Sequence, residues 1–171
     1  MPNTRANNLD ADGLTFVMLR LDARDAEKAK HRMNLASVNE VLKNGQIESI
    51  CFGPSRWVLT SESLSAAEIL VLIGERLASL VYHATDYASA LESMTLKSKQ
   101  ATEIIASGTG LDIRPEVFKD GDCARTRLAN IPVIIIVRSE NHFNLLVDYG
   151  YRRYLSDWLA DAAEIADLVK A

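Results

Sequence analysis

The chain has 171 residues, enough for one domain or two small ones that bury roughly 70% of their unfolded surface without a staple. Hydrophobic residues make up 48% and charged residues 25%, the balance of an ordinary globular domain, which excludes collagen-like, disordered and disulfide-dense classes. The 23 acidic and 19 basic residues give a net charge of -4 with no concentrated basic stripe, so no nucleic-acid partner is expected.

The longest apolar run, Ile131 to Val137, is far short of the roughly 20 residues that span a bilayer. The first thirty residues carry no signal-peptide core. A soluble, cytoplasmic protein with no membrane partner is the expectation, and in that compartment Cys51 and Cys123 stay reduced.

Met1 to Gly13 is polar and reads as an N-terminal arm, 1–13, ahead of one domain over 14–171. Leu14 to Leu21 is short, apolar and partly β-branched, which predicts a strand. From Asp25 to Leu42, Ala26, Ala29, Met33, Ala36 and Val41 follow a loose helical period, so a helix is predicted there. Ile47 to Phe52 and Trp57 to Thr60 read as a hairpin around Gly53-Pro54-Ser55-Arg56, with Pro54 fixing φ and Gly53 freeing it. Ser65-Ala66-Ala67-Glu68 is a capping box, with Leu64 and Ile69 placed as a hydrophobic staple. Ile69, Leu70, Leu72, Ile73 and Leu77 then form the buried face of the helix it opens.

Val81 to Asp86 and Leu91 to Lys97 read as a second strand pair around Tyr87-Ala88-Ser89. A helix over Ser98 to Ser107 follows, with Gly108 at the position that favours a left-handed residue. Ile131 to Val137 suits a strand buried on both faces, and Phe143 to Val147 returns beside it after Ser139-Glu140-Asn141. The last helix, after Gly150, carries Tyr151, Tyr154, Leu155, Trp158, Leu159, Ala162, Ile165, Ala166 and Val169 on one predicted buried stripe. Paired strands followed by a helix, three times over, predict an α+β fold of antiparallel sheets covered by helices on one side.

Motifs for chemistry are sparse. Gly108-Thr109-Gly110 begins like a dinucleotide fingerprint, but Ile113 stands where the third glycine belongs, and no Gly-Lys-Ser/Thr makes a phosphate loop. His31, His83 and His142 share no i, i+4 spacing and neither cysteine has a Cys-x-x-Cys partner, which argues against zinc in this chain. Asp112, Glu116, Asp120 and Asp122 fail the calcium-loop template and read as a solvated acidic loop. Ser61, Ser63 and Ser65 are not set in a nucleophile elbow. Arg125 and Arg127, with Arg152 and Arg153, are the candidate site residues. Their forked donors suit a carboxylate or phosphate ligand or a partner's surface, against the plainer reading of solvated arginines.

The stretch Leu111 to Phe118, Gly121, Cys123-Ala124-Arg125-Thr126-Arg127-Leu128-Ala129 and Ile131-Pro132-Val133 resembles the gamma subunit of heterotetrameric sarcosine oxidase. The resemblance continues through Phe143 to Val147, the helix from Tyr151 to Ala163, and Gly53-Pro54-Ser55-Arg56-Trp57. Tyr82 to Ala106 is similar to the pattern of aminomethyltransferase-type folate-binding domains, although Ser98 replaces a usual glycine. The resemblance implies an aminomethyltransferase-like fold and a role without catalytic, cofactor-binding or metal-ligating residues of its own. The implied complex is a heterotetrameric flavoenzyme that oxidatively demethylates sarcosine or a similar N-methyl amine and passes the one-carbon unit to tetrahydrofolate. Its alpha, beta and delta subunits would be the partners, and NAD, FAD, FMN and zinc would sit in them. The alternative is a stand-alone folate-binding one-carbon module, because kinship of fold does not carry chemistry with it.

Overall fold

Alternation along Phe16, Val17, Met18 and Leu19 sends successive side chains to opposite faces of a strand, and both faces here are covered. Phe16 packs in a layer with no helix in it, whereas Val17 and Leu19 pack with residues of two helices. A computed structural model describes the backbone of residues 14–169 and the side chains of 14–167; the arm expected over 1–13 lies outside the described residues.

In chain order the elements are β1 (Thr15–Leu21), α1 (Ala26–Met33), β2 (Val41–Asn44), β3 (Ile47–Gly53), β4 (Arg56–Ser61), α2 (Ala66–Leu77) and β5 (Tyr82–Asp86). They are followed by β6 (Leu91–Lys97), α3 (Ala101–Gly108), β7 (Cys123–Leu128), β8 (Ile131–Ser139), β9 (His142–Asp148) and, after a 3-10 turn at Tyr149–Tyr151, α4 (Arg152–Val169). The strands form two antiparallel sheets of order β2-β3-β4-β1-β5 and β6-β9-β8-β7. This is the expected α+β class. The repeated unit is a strand, a helix, three strands and a helix, present twice with the same strand order, and β5 is added beside β1.

Three apolar clusters define four layers. Val17, Leu19, Ile69, Ile73 and Leu77 lie between the first sheet and its helices. Ile104, Ile105, Val133, Ile135, Leu155 and Leu159 lie between the second sheet and α3 and α4. Phe16, Ile50, Val58, Ile134, Ile136 and Leu146 lie between the sheets. The double burial expected for Ile131 to Val137 follows from this arrangement, since β8 feeds two layers at once.

The seam between the halves is made by backbone and thiols. Cys123 N donates to Asn39 O at 2.8 Å and Val41 N to Gly121 O at 2.8 Å. Both cysteines are buried and free, and Cys123 Sγ donates to Cys51 O at 3.4 Å. Burial, helped by the neighbouring Cys51, pushes the Cys123 thiol up to about 12, and burial also raises Cys51. Near the ends of two interior strands, Arg138 on β8 donates to both carboxylate oxygens of Glu48 on β3 at 2.7 Å and, through Nε, to Asn144 at 2.6 Å.

Several local expectations change. The helix expected to Leu42 stops at Met33, where Asn34 takes a left-handed φ of 51°. The chain then tucks Leu35 and Ala36 inward, with Trp57 Nε1 donating to Ala36 O at 2.9 Å. Residues 41–44 form the edge strand β2 instead, joined to β3 by Gly45-Gln46 with Gly45 at φ 60°. At the next hairpin the left-handed residue is Ser55, not Gly53. The expected pair of 81–86 with 91–97 does not form. β5 takes the free edge of β1 and β6 pairs with β9, because the turn at 87–90 carries the chain from one sheet to the other. β7 is an additional strand, tied to β8 by Ala129-Asn130, both left-handed.

The capping box forms as read, with Ser65 Oγ accepting from Glu68 N at 3.3 Å and Glu68 accepting from Ser65 N at 2.8 Å. Of the α2 face, Ile69, Ile73 and Leu77 are buried, while Leu70 and Leu72 are half-buried. On α4 the stripe is narrower than expected: Leu155 and Leu159 are buried and Trp158 is half-buried, whereas Tyr151, Tyr154 and Ile165 are exposed. One helix covering one sheet presents a narrow face, so the flanks of a wide stripe remain outside. The side chain of Val169 is outside the described residues. Gly108 is the last residue of α3 with no left-handed backbone. It is needed for room, because a Cβ there would stand 2.5 Å from Trp158 Cη2 and 2.9 Å from Leu128 Cδ1.

Gly108→Ala is therefore expected to destabilise the protein by about 1–3 kcal/mol. Most of that loss should vanish in a Trp158→Leu background, read by denaturant unfolding as a double-mutant cycle. The two cysteines are expected to resist a thiol-specific disulfide reagent at pH 8 in the native state and to react together after denaturation. Fast reaction of native protein would show that the seam opens.

Candidate functional site

The two inner sheet faces are apolar at their centre and polar at their ends, as the register makes plain. On β1 the inward positions run Phe16, Met18, Arg20. Arg20 lies opposite Arg56 on β4 and opposite His83 on β5, so three basic side chains form a row across adjacent strands. Arg125 on β7 faces them from the second sheet, its guanidinium 5.9 Å from the centre of the Phe52 ring, within reach of a cation–π contact. Together these residues line a cleft of about 320 Å³, floored by Met18, Leu91, Ile134 and Leu146.

None of Arg20, Arg56 and Arg125 has a carboxylate partner among the described residues. The cleft's one carboxylate, Asp148, forms no ion pair with them. Like charges directly opposite on paired strands repel, and solvent screens the Arg20 and Arg56 guanidiniums, which are both exposed, as is His83. His83 shares a 3.3 Å contact with Thr85 Oγ1.

The four arginines singled out from the sequence are not one patch. Arg125 belongs to the cleft. Arg127 is exposed further along β7 and has no carboxylate partner among the described residues. Arg152 is tied to Glu92 at 3.1 Å, and Arg153 lies 3.9 Å from Asp157 on the exposed side of α4. Sequence reasoning missed Arg20, Arg56 and His83 as a group. The legible signal was Arg20 itself, a charge at an inward-alternating position of an otherwise apolar strand.

At the opposite end of the same layer a broader groove is lined by Lys43, Glu48, Ser61, Arg138, His142 and Asn144. The Arg138–Glu48 fork closes across it. Burial first, then Lys97 and Arg138, lowers the pKa of His142. The other groups weighed for chemistry serve the backbone. Ser61 Oγ accepts from Ser63 N and Leu64 N, Asp122 accepts from Lys119 N at 2.7 Å, and Arg114 holds the Asp112 carboxyl down to about 2. Among the described residues no group of three or more His, Cys, Asp and Glu side chains could hold a metal. Among them no helix is long and apolar enough to cross a membrane.

No protein-family model and no curated protein matches the sequence. Among solved structures the chain is similar to a chain of the heterotetrameric sarcosine oxidase from Corynebacterium sp. U-96, determined in complex with pyrrole 2-carboxylate. The identity is 21% over 88% of this chain and 79% of that one, with a TM-score of 0.76. It is also similar to the glycine cleavage system aminomethyltransferase T from Bartonella henselae, at 15% identity over 87% of this chain and 44% of that one, with a TM-score of 0.61. At such identities the likeness is one of backbone. The fold expected from the residue resemblance is the fold found, one shared with a sarcosine oxidase chain and with an aminomethyltransferase.

Proposed function

We propose that this chain is the gamma-type, non-catalytic subunit of a cytoplasmic, multi-subunit flavoenzyme that oxidatively demethylates sarcosine or a similar N-methyl amine and passes the one-carbon unit to tetrahydrofolate. The observation that carries the reading is one of extent. The likeness takes in 79% of the sarcosine oxidase chain but only 44% of the aminomethyltransferase. The counterpart in the oxidase is therefore a chain of similar length, whereas in the aminomethyltransferase it is part of a longer one. In this reading alpha, beta and delta subunits are the partners, and NAD, FAD, FMN, zinc and tetrahydrofolate reside in them.

The surface supports the same reading. Tyr149, Tyr151 and Tyr154 stand exposed within six residues where β9 passes into α4, and Tyr154 is fixed by its hydroxyl, which donates to Ala129 O at 3.0 Å. Rigid aromatics and arginines are the residues in which interface energy concentrates, and Arg153 and Arg127 are exposed candidates for the same contact. Arg152 would act indirectly, through its pair with Glu92.

Co-expression with the alpha, beta and delta chains of the same source is expected to give one complex by size-exclusion chromatography. The chain alone should be colourless and should not oxidise sarcosine. Tyr151→Ala combined with Arg127→Ala should weaken co-elution while leaving the melting temperature of the isolated chain nearly unchanged. Failure to co-elute, or stoichiometric flavin on the desalted single chain, would overturn the proposal. Calorimetric binding of tetrahydrofolate to the single chain would favour the stand-alone one-carbon module.

A further inference from the structure

Arg20 and Arg56 face one another on adjacent strands with no carboxylate partner among the described residues, and His83 extends the row. Two guanidiniums, Arg20 and Arg56, sit at directly opposed positions on β1 and β4, where like charges disfavour pairing, and His83 lies opposite Arg20 on β5. They line a concave wall that Arg125 completes from the other sheet. A fold that needed only a soluble sheet end could place one charge there, or alternate the signs. Departures of this kind from local consistency mark functional positions.

From this geometry we infer that the cleft is a binding site for a small dicarboxylate with a planar or apolar body. The charge follows from the lining: three guanidiniums against the single carboxylate of Asp148 leave an excess of two positive charges facing the cleft, matched by two carboxylates. Arginine forks meet carboxylates through paired, charge-assisted hydrogen bonds. The body follows from the floor of Met18, Leu91, Ile134 and Leu146 and from the Phe52 ring beneath Arg125. The size follows from the volume of about 320 Å³, at the small end of ligand sites and too little for a dinucleotide. The inference does not rest on assembly with other subunits. It concerns the single chain, and Arg20 and Arg56 have no part in the proposed subunit interface.

The test uses the full chain in buffer of low ionic strength, with isophthalate as probe and isophthalamide as its neutral counterpart. Isophthalate is expected to raise the melting temperature in a saturable way and to give a calorimetric isotherm, and isophthalamide to do neither. Arg20→Gln and Arg56→Gln are each expected to weaken isophthalate binding about tenfold. Their ligand-free melting temperatures should be unchanged or higher, since each removes a repulsion. Arg24→Gln, a surface substitution at a residue paired with Asp22, should leave binding as it is. Equal responses to the acid and the amide, or no response to either, would overturn the inference, as would full affinity in both cleft variants. Ligand-free melting temperatures that fall in both would also overturn it, by making the arginines structural.

Discussion

Each sheet surrenders both of its faces, one to helices and one to the other sheet, and this double burial governs the molecule. Phe16, Ile50 and Val58 meet Ile134, Ile136 and Leu146 in a layer that no helix enters. Each such side chain removed from water contributes about 1.5–3 kcal/mol, so the central strands must be apolar at nearly every position, as β8 is. Polar side chains enter this layer near its ends, where two clefts open to solvent. One end is bridged by the Arg138–Glu48 fork, whose hydrogen bonds satisfy both partners as semi-buried charges require. The other end is left open, with its arginines unpaired. The contrast between the ends places the site.

Local chemistry was legible wherever it was self-contained. The capping box at Ser65 and Glu68 needs only four residues, and it formed as written. The β-branched runs of β1, β3, β4, β8 and β9 announced themselves for the same reason. Edge strands did not, because β2 is exposed along most of its length and shows no alternation. Its one signal was Asn44-Gly45, a strong hairpin dipeptide. β7 alternates apolar and polar residues, yet its arginines drew attention to chemistry before structure. Pairing was the least legible feature. A three-residue turn at 87–89 suits a hairpin, and only distant β1 and β9 decide that the flanking strands part company.

The cleft shows the same limit. Arg125 stood out because it sits in a dense, family-like segment. Arg20, Arg56 and His83 lie 36 and 27 residues apart in sequence and converge only through the register of three strands. Spacing rules of the i, i+4 or Cys-x-x-Cys kind cannot find such a row, because antiparallel pairing sets the distance between its members. Gly108 makes a related point. Its position after a helical run suggests a conformational role, but what requires it is room for Trp158, a neighbour fifty residues away in the chain.

The twofold repeat has a consequence for synthesis. Residues 15–86 supply every strand of the first sheet and 91–148 every strand of the second, so on the ribosome the first half can pair its strands and gather α1 and α2 before the rest exists. Its Phe16, Ile50 and Val58 face then has no cover until residues 91–169 emerge. At about 5–20 residues per second, that leaves a bare, sticky sheet face for on the order of four to sixteen seconds. During that interval the nascent half is open to chaperones, and on a crowded polysome it is open to the same half of a neighbouring chain.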